Sequence, residues 1–215
     1  MSVGFYGKVP SHGDFISRRL PPEFIEPWDA WLQQSLAASQ AELGEQWLTH
    51  YLVAPIWRFM LGRGIVGPQN WAGVLMPSVD RVGRYFPLTL AAPTALPETW
   101  LDLNSISPWF DTLEDWALSS LCNEFAMSMF DEALGGISAL ATSARPLSVG
   151  LNCPIQMPLV QMQSSILSQV LFDGCSLWWT LGSSEFPGQV RIQQGLPIPT
   201  DFSGLLTNVI RSDSA

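Results

Sequence analysis

Phe24, Trp28, Trp31, Leu32 and Leu36 recur at three- and four-residue steps behind Pro21 and Pro22. That spacing sets three large rings on one side of a helix. Such a stripe has to be buried against an apolar surface of comparable size. The rest of the chain can supply one. Ten Trp and eleven Phe stand among 215 residues, and only 13% of the residues are charged, against about 25% in an ordinary globular chain. Each buried ring withdraws on the order of 150–250 Å² from water, so a stable core is easily built. Core packing accounts for most of the rings, and a few exposed ones would mark a partner-binding patch.

Short apolar runs frame this helix. Val3 to Tyr6, ended by Gly7, reads as an N-terminal strand, and Pro10 to Asp14 has turn chemistry. A second helical stretch covers 43–53. Runs at 55–61, 71–76 and 85–91 read as an antiparallel meander, with Pro87 placing the third at an edge or in a bulge. Helical spacing returns from Trp100 to Leu121, broken at Pro108, and over 125–134, stopped by Gly135 and Gly136. Further on, the pattern predicts a strand near 147–151, a helix over 159–171, paired strands over 176–181 and 189–193, and a last helix over 202–210 capped by Thr200-Asp201. There is no internal repeat, and Pro93 to Pro97 is too short for a tether. The reading is therefore one domain over 1–215, with 93–97 as its only candidate subdivision. Its class is α+β: a mainly antiparallel sheet flanked by helices, an α/β sandwich.

The net charge of −9 falls entirely on the second part of the chain. Residues 1–84 hold seven bases and seven acids, whereas 85–215 hold three bases and twelve acids. An acidic protein repels phosphate backbones and gains little from anionic membranes, so no nucleic-acid binding is expected. Three cysteines, Cys122, Cys153 and Cys175, show no CxxC spacing and imply neither a disulfide framework nor a zinc ribbon. Without a signal-like N-terminus or an 18-residue apolar run, a soluble cytoplasmic protein with no membrane insertion is expected.

Reactive groups are sparse. Gly4 to Lys8 resembles half a phosphate-binding loop, but Val9 stands where the magnesium-binding hydroxyl is needed. His12 lies beside Ser11 and Asp14, and neighbours in one turn do not normally aim at one reacting atom. His50 reads as a surface or packing residue. The pairs Glu114–Asp115 and Asp131–Glu132 diverge by about 100° on a helix and read as solvated. No catalytic, cofactor or metal residues are assigned, so no enzyme activity, cofactor or small-molecule substrate is expected. The densest unusual segment is Met76 to Leu90, where Asp80, Arg81 and Arg84 crowd a glycine-containing turn. One reading is structural, with Asp80 capping amides and the arginines pairing internally. The other is a partner-facing site, since arginine offers carboxylates a planar fork. Lys8, Asp14, Asp80, Arg81 and Arg84 are the candidate partner-binding residues, and Arg81 and Arg84 are expected to have unequal roles.

Five blocks also carry a resemblance: Gly7 to Phe15, Pro27 to Leu32, Trp57 to Phe59, Trp71 to Val74 and Met76 to Leu90. In this order they resemble the TagF family of type VI secretion accessory proteins. Ser176 to Thr180 looks like a further family block. No phosphatase domain follows, as in the stand-alone form of the family. The resemblance implies a fold with likeness to longin or profilin-like domains. It also implies a post-translational repressor that binds the forkhead-associated (FHA) scaffold protein of the secretion system, independently of threonine phosphorylation. A structural or assembly component of the apparatus is the alternative. The family defines no catalytic residues to carry over.

Overall fold

The computed structural model describes residues 1–94, 103–140, 155–158, 174–182 and 186–207. In chain order the elements are β1 (Gly4–Gly7), β2 (Ile16–Arg18), α1 (Pro22–Leu43), α2 (Trp47–Val53), β3 (Trp57–Leu61), β4 (Asn70–Met76) and β5 (Leu88–Thr94). There follow α3 (Leu103–Ser119), α4 (Met127–Gly136), β6 (Ile155–Pro158), β7 (Cys175–Gly182), β8 (Pro187–Gln194) and α5 (Phe202–Thr207). The strands form one sheet in the order β2-β1-β5-β4-β3-β7-β8-β6, and every pairing is antiparallel. The strand read near 147–151, the helix read over 159–171, the tail of the last helix beyond Thr207, and Cys153 all lie outside the described residues.

Alternation along the strands divides the core in two. Ala72, Val74 and Met76 of β4 face one cluster with Leu88, Leu90, Phe110, Leu113 and Phe130. Trp71 and Leu75 of the same strand face the other, with Trp28, Trp31, Phe59, Trp178 and Phe202. One face of the sheet is thus covered by α3 and α4, and the opposite face by α1, α2 and α5. This is the α+β sandwich that the sequence pattern predicts. Covering on both faces also explains why Trp71 to Met76 is a continuous apolar run although its ladders are antiparallel.

The aromatic stripe of α1 lies at the centre. Trp28 is fully buried, stacks parallel to Trp178 at 5.9 Å and packs on Phe24, Trp31 and Phe59 at 4.9–5.4 Å. Its indole Nε1 donates to Thr89 Oγ1 at 2.9 Å, so its one polar atom is satisfied.

Several expectations need correction. The third strand starts at Leu88, so Pro87 precedes it, and β5 is an interior strand between β1 and β4. Pro93 does lie within β5, but beyond the Thr89–Ala91 stretch that β1 covers. Pro108 does not break α3, which runs through it. Burial of Ile106, Phe110, Leu113 and Ala117 outweighs the roughly 3 kcal/mol helix penalty of proline. Gly135 and Gly136 close the last turn of α4 instead of following it. Strands β2 and β6, unforeseen, lie at the two edges of the sheet.

Candidate functional site

Tyr6 of β1 is paired with Thr89 of β5, so the chain leaving β1 and the chain entering β5 meet at one end of the sheet. Two loops, 8–15 and 77–87, therefore share that end. Gly7 makes their close approach possible: its φ is 139°, and a side chain there would strike the carbonyl of Pro87. The second loop is also tied to α2. The Tyr51 hydroxyl donates to Ser78 O at 2.9 Å and accepts from the Ser78 amide at 3.1 Å. Burial pushes the Tyr51 pKa well above the ordinary phenol value. Tyr85 sets its ring edge-on against Trp47 and Tyr51.

Between these anchors the chain turns sharply over Asp80 to Arg84. The Asp80 amide donates to Arg84 O at 3.0 Å and the Gly83 amide to Asp80 O at 3.0 Å, with Gly83 at φ 86°, where glycine is strongly favoured. The Asp80 carboxylate fills the concave side. Its Oδ1 accepts the amides of Val82 at 3.0 Å and Arg84 at 2.9 Å. Its Oδ2 accepts Lys8 Nζ at 2.7 Å and Arg84 Nε at 2.6 Å. The side chain has no exposed surface. Burial alone would raise its pKa, but the Lys8 ammonium, then the Arg84 amide and guanidinium and the Val82 amide, hold it far below the usual carboxylate range.

The sign of the resulting pH dependence is fixed by that depression. Asp80 contributes stability fully above the unfolded carboxyl value of about 3.9 and loses it as pH falls towards the lower folded value. Urea unfolding of the parent should therefore weaken with acidification below about pH 4 more steeply than unfolding of Asp80→Asn, which has no carboxylate to protonate. Parallel pH profiles for the two proteins would contradict this assignment.

On the convex side the residues are presented to solvent. Arg84 donates through Nη2 to Gly13 O and lies 3.9 Å from Asp14 Oδ1. The Arg81 amide donates to His12 O at 2.9 Å, while its exposed side chain has no bonded partner among the described residues. Its Nη2 lies 3.7 Å from where a Cβ on Gly13 would stand. Val82, at the tip, is 66% exposed, and Phe15 is 47% exposed. The Phe15 ring is braced on Tyr6 at 5.5 Å and Phe86 at 4.8 Å, with Lys8 Nζ 5.0 Å from its centroid.

The five candidate residues thus meet in one place but occupy two layers. Lys8 and Asp80 are buried beneath the surface, and Asp14, Arg81 and Arg84 stand on it. Arg84 closes the internal ion pair and Arg81 does not, which is the inequality expected of them. Ser11 Oγ lies 2.8 Å from His12 Nδ1, while Asp14 is directed to Arg84. Sequence reasoning passed over Phe15 and Val82. The available signal for Val82 was an apolar residue between the charges of Asp80, Arg81 and Arg84.

A second charged cluster was also missed. Arg58, in mid-β3 and 1% exposed, donates to Glu114 Oε1 at 2.7 Å and Oε2 at 2.9 Å, to Asp111 Oδ1 at 2.6 Å and to Ser107 Oγ at 3.0 Å. Burial works against its charge, and Glu114 first, then Asp111, more than compensate. Glu114 is therefore a structural ion-pair partner, which corrects its reading as solvated. Asp131 needs the same correction, since it accepts from Arg19 and lies 3.7 Å from Arg18. The sequence signal was an arginine inside Trp57 to Leu61, because a buried charge requires partners. A half-open groove of about 170 Å³ adjoins this cluster between α2, α3 and β7, with Glu114 the single ionisable group on its wall among the described residues. Among the described residues, no group of three or more His, Cys, Asp or Glu is placed to hold a metal ion. Nor is any helix there long and apolar enough to cross a membrane.

Comparison with known proteins gives three findings. The family model described as "TagF N-terminal domain, Type VI secretion system-associated" matches residues 4–137. The crystal structure of PA0076 from Pseudomonas aeruginosa PAO1 superposes with a TM-score of 0.76 at 36% identity, covering 100% of this chain and 98% of that one. Comparison with curated proteins gives no match.

Proposed function

Because this chain belongs to the TagF family of type VI secretion-associated proteins, we propose that it is a cytoplasmic negative regulator that docks, without catalysis, on the FHA scaffold protein of the secretion system. The observation that carries the docking reading is the two-layered turn. Its buried carboxylate is saturated by four donors, and the groups it holds outward are a ring, an aliphatic tip and two guanidinium groups. A saturated carboxylate cannot serve as a general base. Rigid aromatic and arginine side chains are what protein interfaces favour at their energetic centres. The Arg58 cluster supports the non-catalytic reading in the same way, since its carboxylates are engaged by one guanidinium.

The test has a binding arm and a cellular arm. The purified chain and the FHA scaffold should associate at micromolar concentration or tighter, and deletion of the gene should raise secretion. Abolished secretion on deletion would favour an assembly component, and no association between folded proteins would remove the docking reading.

A further inference from the structure

Docking leaves open which pole of this charge-asymmetric molecule meets the partner. The acidic remainder would select a basic surface. The loop end of the sheet points the other way. Lys8, Arg81 and Arg84 face two carboxylates there, and one of these, Asp80, is sealed inside. The other, Asp14, is fully solvated and 3.9 Å from Arg84. The surface layer is therefore locally cationic in a chain whose net charge is −9.

Both guanidinium groups lie near Gly13: Arg84 donates to its carbonyl oxygen, and Arg81 Nη2 is 3.7 Å from where its Cβ would stand. Two like charges are thus held near one peptide by the turn that Asp80 organises. Arg84 uses its Nε on Asp80, so its position is fixed, whereas the fork of Arg81 has no bonded partner among the described residues. Phe15 and Val82 flank the pair with exposed apolar surface.

From this arrangement, and resting on the docking reading above, we infer that the 80–84 turn receives an acidic segment of the partner. An Asp or Glu carboxylate lies on Arg81, and a neighbouring apolar side chain lies on Phe15 and Val82. Arg81 is the reading residue and Arg84 the positioning one. The fork geometry favours a carboxylate bound through two parallel hydrogen bonds. The ring supplies contact area with little side-chain entropy to lose.

The experiment titrates the purified chain with the FHA scaffold protein, the latter produced without its kinase so that it carries no phosphothreonine. Arg81→Glu should weaken association by at least about tenfold. Arg81→Lys should recover only part of the loss, because charge returns without the fork. Val82→Asp should also weaken binding. The solvent-facing reversals Asp115→Lys and Glu132→Lys, on exposed positions of the acidic part, should bind at least as well as the parent. None of these positions is buried, so folding is retained and is verified by circular dichroism. If Arg81→Glu binds like the parent while the reversals at Asp115 and Glu132 abolish binding, the acidic pole is the docking face and the inference is overturned, with the docking reading intact. If the parent itself does not bind, both fall.

Discussion

Trp28→Ala should destabilise the protein by about 3–5 kcal/mol, the range for truncating a buried aromatic. That is a large fraction of the roughly 5–15 kcal/mol that holds a typical domain together. Trp28 touches four other rings, from α1 itself and from strands β3 and β7. A cavity there loosens the helix and the middle of the sheet together. Thr89 Oγ1 also loses its donor in a buried position. Urea unfolding followed by far-UV circular dichroism measures the loss. A shift of under about 1 kcal/mol would mean that the surrounding rings collapse into the space, contrary to their tight mutual packing.

Arg58→Met should cost about 2–4 kcal/mol, somewhat less than a fully buried pair would lose, because Asp111 is half exposed and Glu114 keeps 20% of its side-chain surface. The loss arises from stranding Glu114 beside an apolar strand. It should therefore be largely recovered when Glu114→Leu is added, since replacing both partners removes the uncompensated charge. A double-mutant cycle in urea decides the matter. Strictly additive losses would show that Arg58 acts through packing on Phe110, 5.7 Å away, and not through its carboxylates.

The two substitutions also mark what could be read from residues alone. The Trp28 stripe was legible because helical periodicity persists over four turns and nothing else places those rings on one face. Strands β3, β4 and β7 were legible as dense apolar runs bounded by glycine or proline, and β8 by the alternation of Val190 and Ile192 with polar residues. Strand β2 was not. Three residues, Ile16 to Arg18, are too few to show a period, and pairing with β1 creates the strand. The interior position of β5 was hidden because Pro87 sits one residue outside the ladder, and sequence cannot resolve that offset. At the site, the charge-rich turn was visible, but its layering was not. The glycine-containing turn made Asp80 readable as a cap for its own amides, but not as a sealed residue, in contrast to Asp14, which is bathed in water. The fourth donor that completes its burial is Lys8, 72 residues away from Asp80. The Arg58 cluster escaped for the same reason, since its partners lie on α3, about fifty residues on.

The β3–β7 ladder joins Arg58 to Trp179, Phe59 to Trp178, Met60 to Leu177 and Leu61 to Ser176. It lies across the end of the stretch that the family model matches, residue 137. A fragment trimmed there would leave β3 with a raw hydrogen-bonding margin and strip Trp28 of its parallel neighbour. Such a margin invites pairing with further copies, so the portion matched by the family model would be a seed for clumping rather than a miniature of the whole.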